Sequence, residues 1–119
     1  MLRSLLKSKI HHARVTEADL HYVGSVTIDK DLMVAADLLP NERVLVANIE
    51  NGERFETYCF EGAAGSGVLC MNGACARLVD VGDQVIIMAF ALVEDEKART
   101  FHPKVIFVDE QNRITGRHV

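Results

Sequence analysis

The sequence predicts a small, mainly β protein, closed or nearly closed into a barrel. A chain of 119 residues has the size of one compact domain. Short runs rich in Val, Ile, Phe and Tyr alternate with turn residues, and only one segment reads convincingly as helix. Many short strands with little helix point to a barrel.

The N-terminal "MLRSLLKSKI" contains Leu, but basic residues interrupt it, so it lacks the continuous apolar stretch of a signal peptide. "HYVGSVTID" (21–29) is a good strand interrupted by Gly24-Ser25. Gly weakens a strand and a following Ser usually marks a turn, so by themselves these residues read as a turn. "DKDLMVAADLL" (29–39) is the helix, with Asp29 as N-cap, Leu32, Val34 and Ala35–Ala36 as a semi-apolar stripe, and Pro40 closing it. The strands that follow are "VLVANI" (44–49), "FETYCF" (55–60), "GVLC" (67–70), "QVIIMAFALV" (84–93) and "KVIFVD" (104–109). The breakers "ENGER", "EGAAGSG", "MNGACA", "DVGD" and "HP" separate them, and "EDEKAR" (94–99) allows one or two helical turns. An edge strand such as "KVIFVD" would invite association, so strand exchange or oligomerisation is expected.

At 49% hydrophobic and 25% charged, the composition is that of a soluble globular protein able to bury a core. A net charge of −4 argues against a nucleic-acid partner, which requires a basic face. The longest apolar run, "VIIMAFALV" (85–93), is too short to span a bilayer as a helix. Three cysteines, at 59, 70 and 75, form no CxxC pair, which favours reduced thiols in a cytoplasmic protein over a disulfide framework.

Candidate chemistry is sparse at this level. "GAAGSG" (62–67) lacks the Lys-Ser/Thr of a phosphate loop and runs into a strand, so a phosphate cradle is a weak reading. In "MNGACARL", Asn72 can cap a short helical turn whose free N–H groups would receive a carboxylate, or simply make a turn. His11 and His12 are adjacent, so on a strand they point to opposite faces and cannot serve one site. The three cysteines and a histidine fit none of the usual zinc spacings, so no metal is expected, and buried inert thiols are the better reading. Lys9, Arg54 and Tyr58 are far apart in sequence, and nothing in the residues alone brings them together.

Taken together, "MLRSLLKSKIHHARVTEADLHYVGSVTID", "RFETYCFEGAAGSGVLCMNGACARLVDVGDQVIIMAF" and "PKVIFVDEQNRI" resemble, in order and spacing, the pyruvoyl-dependent aspartate 1-decarboxylases. The resemblance covers essentially the whole chain. One departure is Cys75, where the family more often has Ala; a small side chain is tolerated there because the expected contacts are main-chain ones, and it narrows the pocket slightly.

The resemblance implies a double-psi β-barrel with one or two short helices, assembled as a homotetramer. It also gives Gly24-Ser25 a chemical meaning. The proenzyme cleaves itself there into chains 1–24 and 25–119, and Ser25 becomes a pyruvoyl group, the only cofactor. Gly24 suits the scissile position because it can hold a strained backbone. Thr57 and Asn72 match positions that assist, by hydrogen-bonding the oxyanion of the acyl shift. The mature enzyme converts L-aspartate to β-alanine and CO₂ through an imine with the pyruvoyl group, for pantothenate and coenzyme A synthesis. Tyr58 matches the proton donor. Lys9 and Arg54 match the substrate-carboxylate contacts, with Thr57 and the backbone of Gly73, Ala74 and Cys75 lining the substrate site. His11 and Tyr22 stand further out, and a maturation factor is a possible partner. Two other readings stay open: the same chemistry on another small amino acid, and a β-barrel binding module in which Gly24-Ser25 is only a turn. Two cations favour a dicarboxylate over the first, and intact mass separates the second.

Overall fold

A computed structural model describes residues 1–118. Nine strands and two short helices follow in the order β1 (Leu2–Arg14), β2 (Glu17–Asp19), β3 (Ser25–Asp29), α1 (Lys30–Ala35), β4 (Arg43–Asn48), β5 (Arg54–Gly62), β6 (Leu69–Asn72), β7 (Gln84–Glu94), α2 (Asp95–Ala98), β8 (Lys104–Val108) and β9 (Ile114–His118). A six-residue 3-10 helix, Gly73–Leu78, follows β6. The strands lie in the order β2-β6-β3-β5-β4-β7-β1-β8-β9, with parallel pairings at β2/β6, β3/β5 and β1/β8.

The sheet curls around one core. Ile28 of β3, Leu69 and Met71 of β6, Ile87 of β7, Ile10 of β1 and Ile106 of β8 are all buried in a single apolar cluster, although their strands span most of the sheet order. Burying such side chains stabilises the fold by roughly 1.5–3 kcal/mol each.

Three local readings are corrected by the structure. The helix ends at Ala35, not at Pro40, because Asp37 turns left-handed at φ 55°. The N–H of Leu38 then reaches the carbonyl of Met33 at 2.8 Å, and that of Asp37 reaches Val34 at 3.1 Å, so the last carbonyls are satisfied within the turn. The β8 strand is not an edge: β1 flanks it on one side and β9 on the other. His11 and His12 do not point to opposite faces. A bulge between Ile10 and Ala13, with His12 at φ 64°, stacks their rings 3.8 Å apart. The segment "MLRSLLKSKI", assigned no element from sequence, forms most of β1, a long strand bonded on both sides; its periodicity is hidden by a bulge at Lys7, whose ammonium meets Glu42 at 2.6 Å.

The Gly-rich loop does cradle an anion, and the anion is the chain's own. The N–H groups of Gly65 and Gly67 donate to the carboxylate of Asp29 at 3.1 and 2.8 Å. The same carboxylate caps α1 by accepting from the N–H of Asp31 at 2.8 Å. Asn112 binds the far side of this loop, donating to the carbonyls of Gly67 and Arg14.

Candidate active site

Strand register builds the site. In the antiparallel pair β3/β6, Ser25 lies opposite Asn72 and Thr27 opposite Cys70. Side chains alternate along a strand, so these four share one face while Val26, Ile28, Leu69 and Met71 point into the core. The result is a compact polar cluster in which Ser25, Cys70 and Asn72 are buried. The Asn72 amide is tied on three sides. Its Nδ2 donates to Ser25 Oγ at 3.1 Å and to Thr27 Oγ1 at 3.0 Å, and its Oδ1 accepts from Cys70 Sγ at 3.1 Å. Ser25 Oγ in turn donates to the carbonyl of Val23 at 3.1 Å.

Asn72 stands at the start of the 3-10 helix, yet its side chain makes no capping bond, because Ser25 and Thr27 hold it. The helix instead begins at Gly73 with φ 73°, pressed against the 22–24 segment. A Cβ on Gly73 would come within 2.7 Å of Gly24 Cα and 3.2 Å of the Tyr22 carbonyl. Only a glycine allows this approach. Cys75, one turn on, donates its thiol to the Asn72 carbonyl at 3.1 Å and lies 3.7 Å from the Ser25 carbonyl oxygen. Burial raises the pKa of Cys70 and Cys75, and at Cys70 the nearby Glu17 and Asp19 carboxylates raise it further, so both remain thiols.

A shallow cleft of about 210 Å³ opens beside the cluster, lined by Gly24, Glu56, Thr57, Tyr58, Asn72, Ala74 and Cys75. Six of the expected residues therefore meet in one place. Parallel pairing of Val26 with Cys59 sets Tyr58 level with Ser25 on the neighbouring strand, and the Tyr58 ring is half exposed against Phe60. Arg54 and Glu56 share the outer face of β5 with Tyr58, whereas Thr57 alternates to the other side with Phe55 and Cys59.

Lys9, His11 and Tyr22 do not join the cleft. Lys9 pairs with Met88 on β7, which pairs with Leu45 on β4, which pairs with Glu56, so β1 lies three strands from β5. That is roughly 14 Å across a sheet. His11 stacks on His12 and meets Phe107 edge-on at 5.6 Å. Its pKa is lowered by burial first, then by the charges of His12 and Lys9, and its Nδ1 has no partner. Tyr22 is largely exposed, and it is its carbonyl that packs on Gly73. A larger groove, about 740 Å³ between α1, β8 and β9, shares no residue with the cleft. Thr27, Cys70 and the Val23 carbonyl are the site groups that sequence reading missed. Their i, i+2 spacing from Ser25 and Asn72 was the available signal.

Comparison with known proteins fits this geometry. The family described as aspartate decarboxylase matches residues 1–115. The chain belongs to that family. Relatives named aspartate 1-decarboxylase include one from Caldicellulosiruptor saccharolyticus, 61% identical over 96% of this chain and 89% of its own. Another, from Moorella thermoacetica, is 58% identical over 98% of this chain and 91% of its own. A third, from Thermoanaerobacter pseudethanolicus, is 59% identical over 95% and 97%. Among solved structures, the computationally designed msDPBB_sym2 protein superposes with a TM-score of 0.52 at 22% identity, over 73% of this chain and 99% of its own. The fold is thus a double-psi β-barrel, and membership of the family makes the chain a decarboxylase. No helix among the described residues is long and apolar enough to cross a membrane.

Proposed function

We propose that this chain is the proenzyme of a pyruvoyl-dependent aspartate 1-decarboxylase, one domain that cuts itself into residues 1–24 and 25–119. The observation that carries this reading is a buried serine hydroxyl, directly after a glycine, held by a buried asparagine amide. Ser25 Oγ attacks the Gly24 carbonyl carbon. The O–C bond forms, the C–N bond breaks, and the hydroxyl proton ends on the Ser25 nitrogen. Loss of the Ser25 α-proton then expels Oγ from Cβ, freeing Gly24 as a carboxylate and leaving dehydroalanine. Water displaces its nitrogen as ammonia, and a carbonyl remains at residue 25.

The Asn72 bond to Oγ suits this sequence. A donor already in place stabilises that oxygen as it takes up negative charge on leaving. This contact is to the serine oxygen; the role expected from the resemblance, donation to the oxyanion of the acyl shift, would fall to Asn72 or Thr57 as the Gly24 carbonyl changes geometry.

The surroundings fit a pyruvoyl group at residue 25. The site is buried, the cleft beside it is lined by the small residues Gly24, Ala74 and Cys75, and the Ser25 carbonyl oxygen is near the Cys75 thiol. Once formed, the group supplies the electron-accepting carbonyl that amino-acid decarboxylation needs. Tyr58, level with residue 25, is the donor that protonates the carbon losing CO₂. Arg54, on the same face of β5, holds a substrate carboxylate; Lys9, matched as the second cation but three strands away in its own chain, would have to reach the site from another copy of the chain. The backbone of Gly73, Ala74 and Cys75 completes the wall. The substrate is L-aspartate and the product β-alanine, for pantothenate synthesis in the cytoplasm. The working form is a homotetramer, and a maturation factor can assist cleavage.

Intact-mass measurement of the purified protein tests this reading. The wild type should give two chains, with 25–119 blocked to Edman degradation, while Ser25→Ala should stay at full length. Two fragments from Ser25→Ala, or a wild type that stays whole, would refute it.

A further inference from the structure

We propose that Cys70 is a positioning residue for self-cleavage, whose thiol proton fixes the Asn72 amide with its nitrogen toward Ser25. The proposal rests on the self-cleavage reading above and adds a residue to it.

An asparagine amide offers two nearly isosteric ends, and its neighbours decide which faces where. The Thr27 hydroxyl can donate or accept, so it does not choose between them. Ser25 Oγ has its proton directed to the Val23 carbonyl and presents lone pairs to Asn72, but a rotated hydroxyl would suit a flipped amide equally well. Cys70 breaks the tie. A thiol is weak both as donor and as acceptor, but here the sulfur lies 3.1 Å from Oδ1, which is the nearest acceptor for its proton. A flipped amide would set an NH₂ group against the S–H. Cys70 is buried opposite Thr27, and the other carbonyl that its S–H reaches, that of Met71, is 4.0 Å away, well beyond Oδ1. Its raised pKa keeps the proton on sulfur.

The orientation matters for the chemistry at Oγ. With Nδ2 inward, the amide donates to the oxygen that must carry negative charge when the Cβ–Oγ bond breaks. With Oδ1 inward, it would oppose that charge. Cys75 has no such influence, since its thiol meets the main-chain carbonyl of Asn72, which cannot flip.

The test follows cleavage of freshly purified full-length chains on denaturing gels, with hydroxylamine added to a parallel sample to release any ester at Gly24. Cys70→Ala should cleave about tenfold more slowly than wild type and accumulate a hydroxylamine-sensitive species, because elimination is the impaired step. Cys70→Ser should recover to within about threefold, since a hydroxyl restores the donor, whereas Cys70→Val, which restores only bulk, should stay slow. Thermal unfolding of the uncleaved chains controls for packing. Cleavage of Cys70→Ala at the wild-type rate, or a rate for Cys70→Ser no better than for Cys70→Val, would overturn the assignment while leaving self-cleavage intact. A wild-type chain that never cleaves would overturn both.

Discussion

Asp29 and Asn72 are both buried polar residues, only 3% exposed each, and each stands at the N-terminus of a short helix, but they are satisfied in different ways. The Asp29 carboxylate accepts three main-chain N–H groups, from Asp31, Gly65 and Gly67. Every partner belongs to the backbone, and the arrangement pins a loop to a helix. The Asn72 amide bonds only side chains, namely those of Ser25, Thr27 and Cys70, and leaves its own helix uncapped. Backbone partners are fixed by the fold. Side-chain partners can rotate, lose a proton or become a leaving group, so polar satisfaction by side chains is where chemistry can occur. One centre is built to stay as it is, and the other to change.

The largest expected effect on that contrast comes from Asp29→Ala, best measured in the uncleavable Ser25→Ala background. It strands three N–H groups and should cost roughly 3–5 kcal/mol in denaturant unfolding, since each bond to a charged acceptor is worth about 1.5–3 kcal/mol before partial resolvation. In the chain that retains Ser25, the cleavage rate of the folded fraction should stay within about threefold of wild type. A cost below about 1 kcal/mol would show that the loop does not depend on this carboxylate.

Asn72→Ala should do the reverse. Cleavage should slow by about 10²–10³-fold, or roughly 2.7–4 kcal/mol in the barrier, as when a preorganised donor is removed. Stability should fall by no more than about 2 kcal/mol, because Ser25 and Thr27 keep other options. Equal damage to stability and to rate would erase the distinction between the two centres.

The smallest effect concerns Cys59, the thiol that takes no part in the site. Burial, and then the Glu42 carboxylate, raise its pKa from 9.0 to about 11. The folded chain therefore keeps this proton at pH values where the unfolded chain has lost it. The contribution of Cys59 to stability should be constant below pH 9 and fall as pH rises from 9 to about 11. At pH 10 the loss amounts to about 1.4 kcal/mol, one pKa unit's worth. Denaturant titrations of Cys59→Ala and its parent at pH 7 and pH 10 should show the gap between them narrowing at the higher pH; a constant gap would remove Cys59 from the account.

How much of this was legible in the sequence depended on range. The β-branched runs of β4, β5, β7 and β8 announce themselves, as does the Asp29 cap, because strand propensity and capping are local. The strand β1 was hidden because bulges at Lys7 and at His11–His12 break its alternation. The anion that the GAAGSG loop holds, the Asp29 carboxylate, lies more than thirty residues away in the sequence, beyond any local pattern. The same holds at the site. Ser25 and Asn72 could be singled out through family resemblance, whereas Thr27 and Cys70, each two residues from one of them, join the cluster only once the β3/β6 register pairs the strands. Lys9 and Arg54, matched as partners by resemblance, stand three strands apart within the chain, so sequence likeness named them without supplying their geometry.

The position of β1 carries one more consequence. It is an interior strand, bonded to β7 along most of its length and to β8 on its other side, and it lies wholly within residues 1–24. Cutting after Gly24 would leave that strand seated, held by its ladders and by Ile10 and Ala13 in the core. The reverse journey changes in order: folding before the cut is unimolecular, whereas after it two separate polymers must find one another. A matured molecule, once melted, would regain its shape at a rate set by the concentration of its fragments. Its durability would then be a matter of how slowly it comes apart, with the barrel remembering a connectivity that its covalent chain no longer encodes.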